Sequence, residues 1–188
     1  KEYERSLELY KRLADRAASQ EERLQAETGA MRSARMLGDA KEIISTSSAL
    51  LANSKLMPEI MSEARYYRAK AFLESGQKPE ALADLKELSK DTRNVYGAEA
   101  KYLVAQMYFD GGQINDAEKV VLEYIEVSTP HAYWLARSFV LLSDVYVKLG
   151  RNLEAKQYLL SLQQNYQADD DIAGMIETRL SKLNTEQQ

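Results

Sequence analysis

Residues 72–85 read FLESGQKPEALADL, and the same skeleton returns as YFDGGQINDAEKVV at 108–121 and as YVKLGRNLEAKQYL at 146–159. In each copy an aromatic side chain stands four residues before a Gly, and an Ala stands five after it. The anchors are Gly76/Ala81, Gly112/Ala117 and Gly150/Ala155, with a weaker copy at Gly38/Ile43, so successive glycines lie 38, 36 and 38 residues apart. Self-similarity at such a period is the mark of a helical array. Stepping back about one period from Ile43 reaches Ser6, inside EYERSLELYKRL, which has the pattern of the segment that follows each Gly. The chain is therefore expected to begin in mid-repeat and to be a piece of a longer one.

Each unit reads as two helices. EARYYRAKAFLES, EAKYLVAQMYFDG and ARSFVLLSDVYVKL precede the glycines, and EALADLKELS, DAEKVVLEYIEV and EAKQYLLSLQQNY follow them. All carry apolar residues at three- and four-residue spacing, as an amphipathic helix requires. The Gly suits the left-handed conformation that ends a helix, so a tight turn follows. Ala69, Ala105 and Ser143, seven before the Gly, and Ala81, Ala117 and Ala155 are small where two antiparallel helices cross. Small side chains there let the backbones approach. Phe72, Tyr108 and Tyr146 fill the space between the helices. Thr129–Pro130 and Pro58 read as helix starts, and Asp169, Asp170 and Asp171 place acids where a helix dipole favours them.

Three in-phase copies resemble the tetratricopeptide repeat (TPR) family. The resemblance covers about residues 60–168 strongly and 1–57 less so. It implies an all-α, right-handed α-solenoid of antiparallel helix pairs forming one domain over residues 1–188. About nine helices are expected: an orphan helix at 2–18, repeats near 22–55, 58–91, 95–128 and 131–167, and a capping helix at 170–183. The period exceeds the family's usual 34 or so, and the third small position, twelve after the Gly, holds Leu88, Tyr124 and Leu162. The family's closing Pro is missing or displaced. Long repeats of this kind resemble those of bacterial envelope proteins, which implies the periplasm or cell envelope, with the cytoplasm as the alternative.

Composition sets bounds on function. The 188 residues carry a net charge of -4 and no Lys/Arg cluster, which argues against a general nucleic-acid binder. The absence of Cys removes disulfides, thiolate metal sites and thiol nucleophiles, and no apolar run approaches the roughly 18 residues of a membrane span. His131 is the sole histidine, so a multi-His metal site cannot form, and no phosphate loop or nucleophile elbow is present. Asp169–Asp171 carry oxygen donors that a hard cation takes, but helix capping explains them better, and Trp134 reads as packing. No cofactor, metal or catalytic group is expected, and the chain is read as a non-enzyme.

The TPR resemblance implies a concave face built from the first helix of each pair, at ten, six and three residues before each Gly. These are Thr28, Arg32 and Arg35; Tyr66, Lys70 and Leu73; Tyr102, Gln106 and Phe109; and Val140, Asp144 and Val147. The candidate partner-binding residues are Arg32, Tyr66, Lys70, Tyr102, Gln106 and Phe109, taking a peptide or protein surface. Tyr66 and Tyr102 equally suit packing between repeats, and Arg32, Arg35 and Lys70 suit an ordinary solvated face better than a ligand contact. The Lys and Asn clamp of the family's best-known peptide site is not reproduced. Self-association and a regulatory role beside an upstream enzyme or sensor stand as the other readings. The orphan helix is expected to bury Leu7, Tyr10 and Leu13 near Leu24 and Met31. The terminal helix is expected to bury Ile172, Ile176 and Leu180 while showing Glu177 and Lys182 to water.

Overall fold

The computed structural model describes residues 1–185, and among them it contains α-helices and no strand. Ten helices follow in order: α1 (Glu2–Arg16), α2 (Gln20–Leu37), α3 (Ala40–Leu51), α4 (Pro58–Glu74), α5 (Lys78–Leu88), α6 (Val95–Asp110), α7 (Ile114–Glu126), α8 (Ala132–Lys148), α9 (Asn152–Asn165) and α10 (Ile172–Thr185). They are an orphan helix, four pairs and a terminal helix. That sum is one more than the nine expected. The helices gather into two compact units, Lys1–Leu88 and Ser89–Gln188.

The repeated Gly does the work its spacing implied. Gly38, Gly76, Gly112 and Gly150 all sit at φ between 73° and 75°, a conformation costly for a side chain with a Cβ. At the last three, the N–H two residues into the turn closes on the repeat's aromatic: Gln77 to the Phe72 carbonyl, Gln113 to Tyr108 and Arg151 to Tyr146, each at 2.8 Å. Companion bonds run from Gly76, Gly112 and Gly150 N–H to the carbonyls of Leu73, Phe109 and Val147 at 3.0–3.1 Å. Together they make the helix-ending motif with paired backbone bonds. Gly38 N–H instead bonds to Ala34 and Arg35 at 3.1 Å, and Asp39 caps α3 by accepting from the Glu42 N–H. The small motif residues Ala69, Ala81, Ala105, Ala117, Ser143 and Ala155 are all buried.

In the first unit, α1 packs along α2, α3 along α2 and α4, and α5 along α4. Ser19 starts α2, accepting from the Glu22 N–H, while Glu22 reaches back to the Ala18 N–H. Arg68 of α4 donates two bonds to Asp84 of α5, at 2.7 and 2.8 Å, and one to Ser48 at 3.1 Å. Leu7 is buried, as expected of the orphan helix, but Tyr10 and Leu13 remain 37% and 57% exposed. The reason is local: Tyr10 lies across Gly29, with ring atoms 2.4–2.6 Å from where a Cβ would stand.

The second unit has one continuous core running from Tyr102 and Ala105 through Leu142 and Leu159 to Ile172, Ile176 and Leu183. Ile172 and Ile176 are buried and Glu177 and Lys182 exposed, while Leu180 packs against the core half-buried. Pro58 does open α4. Pro130 does not open α8, which begins at Ala132 with His131 at its cap. Thr129 closes a turn before it: its hydroxyl accepts from the His131 N–H at 3.2 Å and donates to the Thr92 carbonyl at 2.9 Å. The hydroxyl's partner is a carbonyl in the α5–α6 connection, which no local cap signal announces.

Candidate functional site

The residues ten before each Gly are largely packed. Thr28 is buried, Tyr66 half-buried, Tyr102 9% exposed and Val140 only 3% exposed. Tyr102 is held on every side within the second unit. Its ring lies 5.6 Å from that of Trp134. Its hydroxyl donates to Gln106 Oε1 at 3.0 Å and accepts from Arg137 Nη2 at 3.2 Å. Gln106 in turn donates to Asp110 at 2.8 Å, and Arg137 also donates to the Tyr133 hydroxyl and to Asp171. Phe109 is half-buried against the same core.

Two of the residues six before the Gly, Arg32 and Asp144, meet an opposite charge on a neighbouring helix. Arg32 of α2 donates to both carboxylate oxygens of Glu63 on α4, at 3.0 and 2.7 Å. Arg179 of α10 does the same to Asp144 of α8, at 2.8 and 2.6 Å. Such forked pairs fix orientation as well as charge. Lys70 Nζ stands 5.9 Å from the Tyr66 ring centre, and Tyr66 meets Tyr67 edge to face at 5.4 Å. Glu63 and Arg179 do not stand out in the sequence, because nothing in a helical pattern says which surface residue a neighbour will face.

An open groove in the first unit lies along α2. It encloses about 670 Å³ and is walled by Tyr3 and Tyr10 of α1 and by Leu56, Met57 and Ile60 at the start of α4. Gly29, Ser33 and Met36 of α2 also line it, and Glu21 and Arg32 supply the charge. Met36 and Met57 are more than half exposed, and flexible thioethers adapt to varied shapes. Ser33 is already satisfied by Ser6 and by the Gly29 carbonyl. Of the six candidate partner-binding residues, Arg32 lines this groove, as does the concave-face residue Thr28, while Tyr66 and Lys70 lie elsewhere in the same unit and Tyr102, Gln106 and Phe109 belong to the other. The groove escaped the sequence reading because its α1 wall was expected to be buried.

Asp170 and Asp171 are engaged as cap and ion pair. Asp170 accepts from the Ile172 N–H and from the Tyr166 hydroxyl, and Asp171 meets Arg137 at 3.2 Å. Burial first, then the neighbouring Asp170, pushes the Tyr166 phenol up to about 12. Among the described residues no three His, Asp or Glu side chains gather as a metal site, and no helix is long and apolar enough to cross a membrane.

No family model matches the chain, and no curated protein matches it. Solved structures do. A crystal structure from Podosopora anserina, assigned to the kinesin light chains and described by its nearly identical TPR-like repeats, superposes with a TM-score of 0.60 at 18% identity over 86% of each chain. A variant of it with one Gln-to-Met substitution gives 0.61 at 17% identity, over 86% of this chain and 85% of that one. The fold is thus that of a TPR-like helical repeat protein. At such identity the likeness speaks for the fold alone.

Proposed function

We propose that the chain is a protein-interaction scaffold with no chemistry of its own, binding a peptide or protein segment in the groove along α2. The observation that carries this reading is the groove itself: an open, mostly apolar trough with few charges, on a fold that presents helices as surfaces. Arg32 is its anchor, since its side chain is 57% exposed while Glu63 fixes its position. Tyr66 and Lys70 of the same unit are secondary contacts, while Gln106 and Phe109 offer a separate candidate surface of the second unit. Tyr102 supports Gln106 from below.

Peptides selected from a displayed random library against the chain test the proposal. Bound peptides are expected to slow amide exchange in α2 and at the start of α4. Arg32→Ala with Met57→Ala should weaken binding about tenfold or more, because truncating a central anchor costs over 1 kcal/mol. The double variant Tyr66→Ala, Tyr102→Ala separates its two residues' roles: loss of stability in step with binding assigns them to packing. Protection of the second helices around Lys86, Lys119 and Lys156, with α2 unchanged, refutes the groove.

A further inference from the structure

The groove along α2 has a direction written into its charges. Glu21, Gln25, Thr28 and Arg32 all line it, and at steps of four, three and four they share one face of the helix within an arc of about 60°. Glu21 and Arg32 are thus opposite charges eleven residues apart on one stripe, about 16 Å along the axis. Apolar walls lie between them. Gln20 bonds to Asn53 at 3.1 Å, which brings Met57 and Ile60 toward the Glu21 end, while the Tyr10 ring covers Gly29 toward the Arg32 end. Of the Arg32–Glu63 pair, the cation is by far the more exposed. The groove therefore shows a positive end and a negative end.

It offers little to a bare backbone. A segment bound in extended form turns N–H and C=O groups toward the wall, and each must find a partner. The hydroxyls of Ser6, Thr28 and Ser33 are already engaged, with one another or with the Leu24 and Gly29 carbonyls. Gln25 is the single amide side chain among the described lining residues. A helix brings its backbone bonds with it and needs from the walls only apolar contact.

We propose, resting on the groove reading above, that the occupant is an amphipathic helix of a partner protein lying antiparallel to α2. It carries a carboxylate that faces Arg32 and, eleven residues later, a Lys or Arg that faces Glu21. Large apolar side chains four and seven residues after the carboxylate share its face and meet the Tyr10 ring and the Met57–Ile60 wall in turn. The charges choose the direction. An antiparallel helix meets Arg32 with its first turn and Glu21 with its last, where its own dipole also favours an acid first and a base last. A parallel helix would need a base at its start and an acid at its end, against that dipole.

Selection of fully randomised peptides, about five helical turns long, against the whole chain tests this, with amide exchange locating those that bind. Peptides that protect α2 and the start of α4 should be enriched in Asp or Glu followed eleven residues later by Lys or Arg, with no Pro between. In fluorescence anisotropy, exchanging the two charges of the best such peptide should weaken binding about tenfold, since two attractive pairs become repulsive. Glu21→Lys should weaken the parent peptide several-fold and improve the exchanged one. A chain that was merely destabilised could not do both, and Glu21 is exposed. Pro placed nine residues after the carboxylate, on the side turned away from α2, should cost at least about tenfold by breaking the helix. Groove-bound peptides that tolerate this Pro, or that bind equally well with their charges exchanged, overturn the proposal and leave the groove reading standing. Peptides that leave α2 unprotected, or no enrichment at all, overturn both.

Discussion

Replacing Gly150 and Gly174 by alanine, one at a time, should move stability in opposite directions. Both glycines have open space where a Cβ would go, with no atom within 4 Å. Packing therefore contributes nothing to either change, and the backbone decides the sign. Gly174 lies inside α10 at a helical φ, where alanine gains about 0.5–1 kcal/mol over glycine. Gly150 sits at φ 73°, where alanine costs about 1–2 kcal/mol. Relaxing that strain would break the bonds from Arg151 N–H to Tyr146 and from Gly150 N–H to Val147, each worth about 1 kcal/mol, so little relief is available. Val at 150 should cost more than Ala, since a β-branched side chain is worse still at positive φ. Urea unfolding followed by Trp134 fluorescence is the assay. Trp134 is the only tryptophan, and it lies in the same compact unit as both glycines. The two alanine variants should differ by about 1.5–3 kcal/mol at equal slope. If Gly150→Ala proved as stable as Gly174→Ala, the left-handed helix ending would be wrong.

Ala117→Leu should destabilise the same unit by about 1–3 kcal/mol, because Ala117 and Ala105 are wholly buried in the core and added methylenes overpack the crossing; the same urea melt reads it. Burial first, then the adjacent Tyr158, pushes the Tyr146 phenol up to about 12. A folded value above the usual one near 10 means the folded state holds its proton longer, so this stabilisation is complete below pH 10 and is lost as pH rises toward 12. Tyr146→Phe should flatten the fall in stability over that alkaline window, and an unchanged slope would refute the assignment.

Much of the architecture was legible in the sequence because its determinants are local. A Gly that must adopt positive φ, an aromatic whose carbonyl closes the turn four residues earlier and an Ala at the crossing all act within one hairpin, so their spacing suffices to place helices α4 to α9. The orphan helix followed from the same period, and the terminal helix from the acids Asp169–Asp171 at its start. Where the reading went astray, the missing information was the identity of a distant neighbour. Pro130 has the residues of a helix start, yet Thr129 is drawn to the Thr92 carbonyl, and α8 begins two residues later. Tyr10 and Leu13 have the periodicity of a buried face, yet Gly29 lets the Tyr10 ring lie flat across α2 and leaves the rest of α1 to solvent.

The candidate site divides along the same line. The helical period by itself determined which residues share a face, and it put Arg32, Tyr66, Lys70, Tyr102, Gln106 and Phe109 on first helices. Only the tertiary structure decided what each face meets. Each first helix in an array has several helical neighbours, and 3.6-residue periodicity marks apolar arcs without saying which neighbour an arc will touch. Tyr102 and Val140 therefore went into the core, Arg32 and Asp144 found forked partners 31 and 35 residues away, and the groove along α2 formed from walls that lie on three separate helices or their approaches.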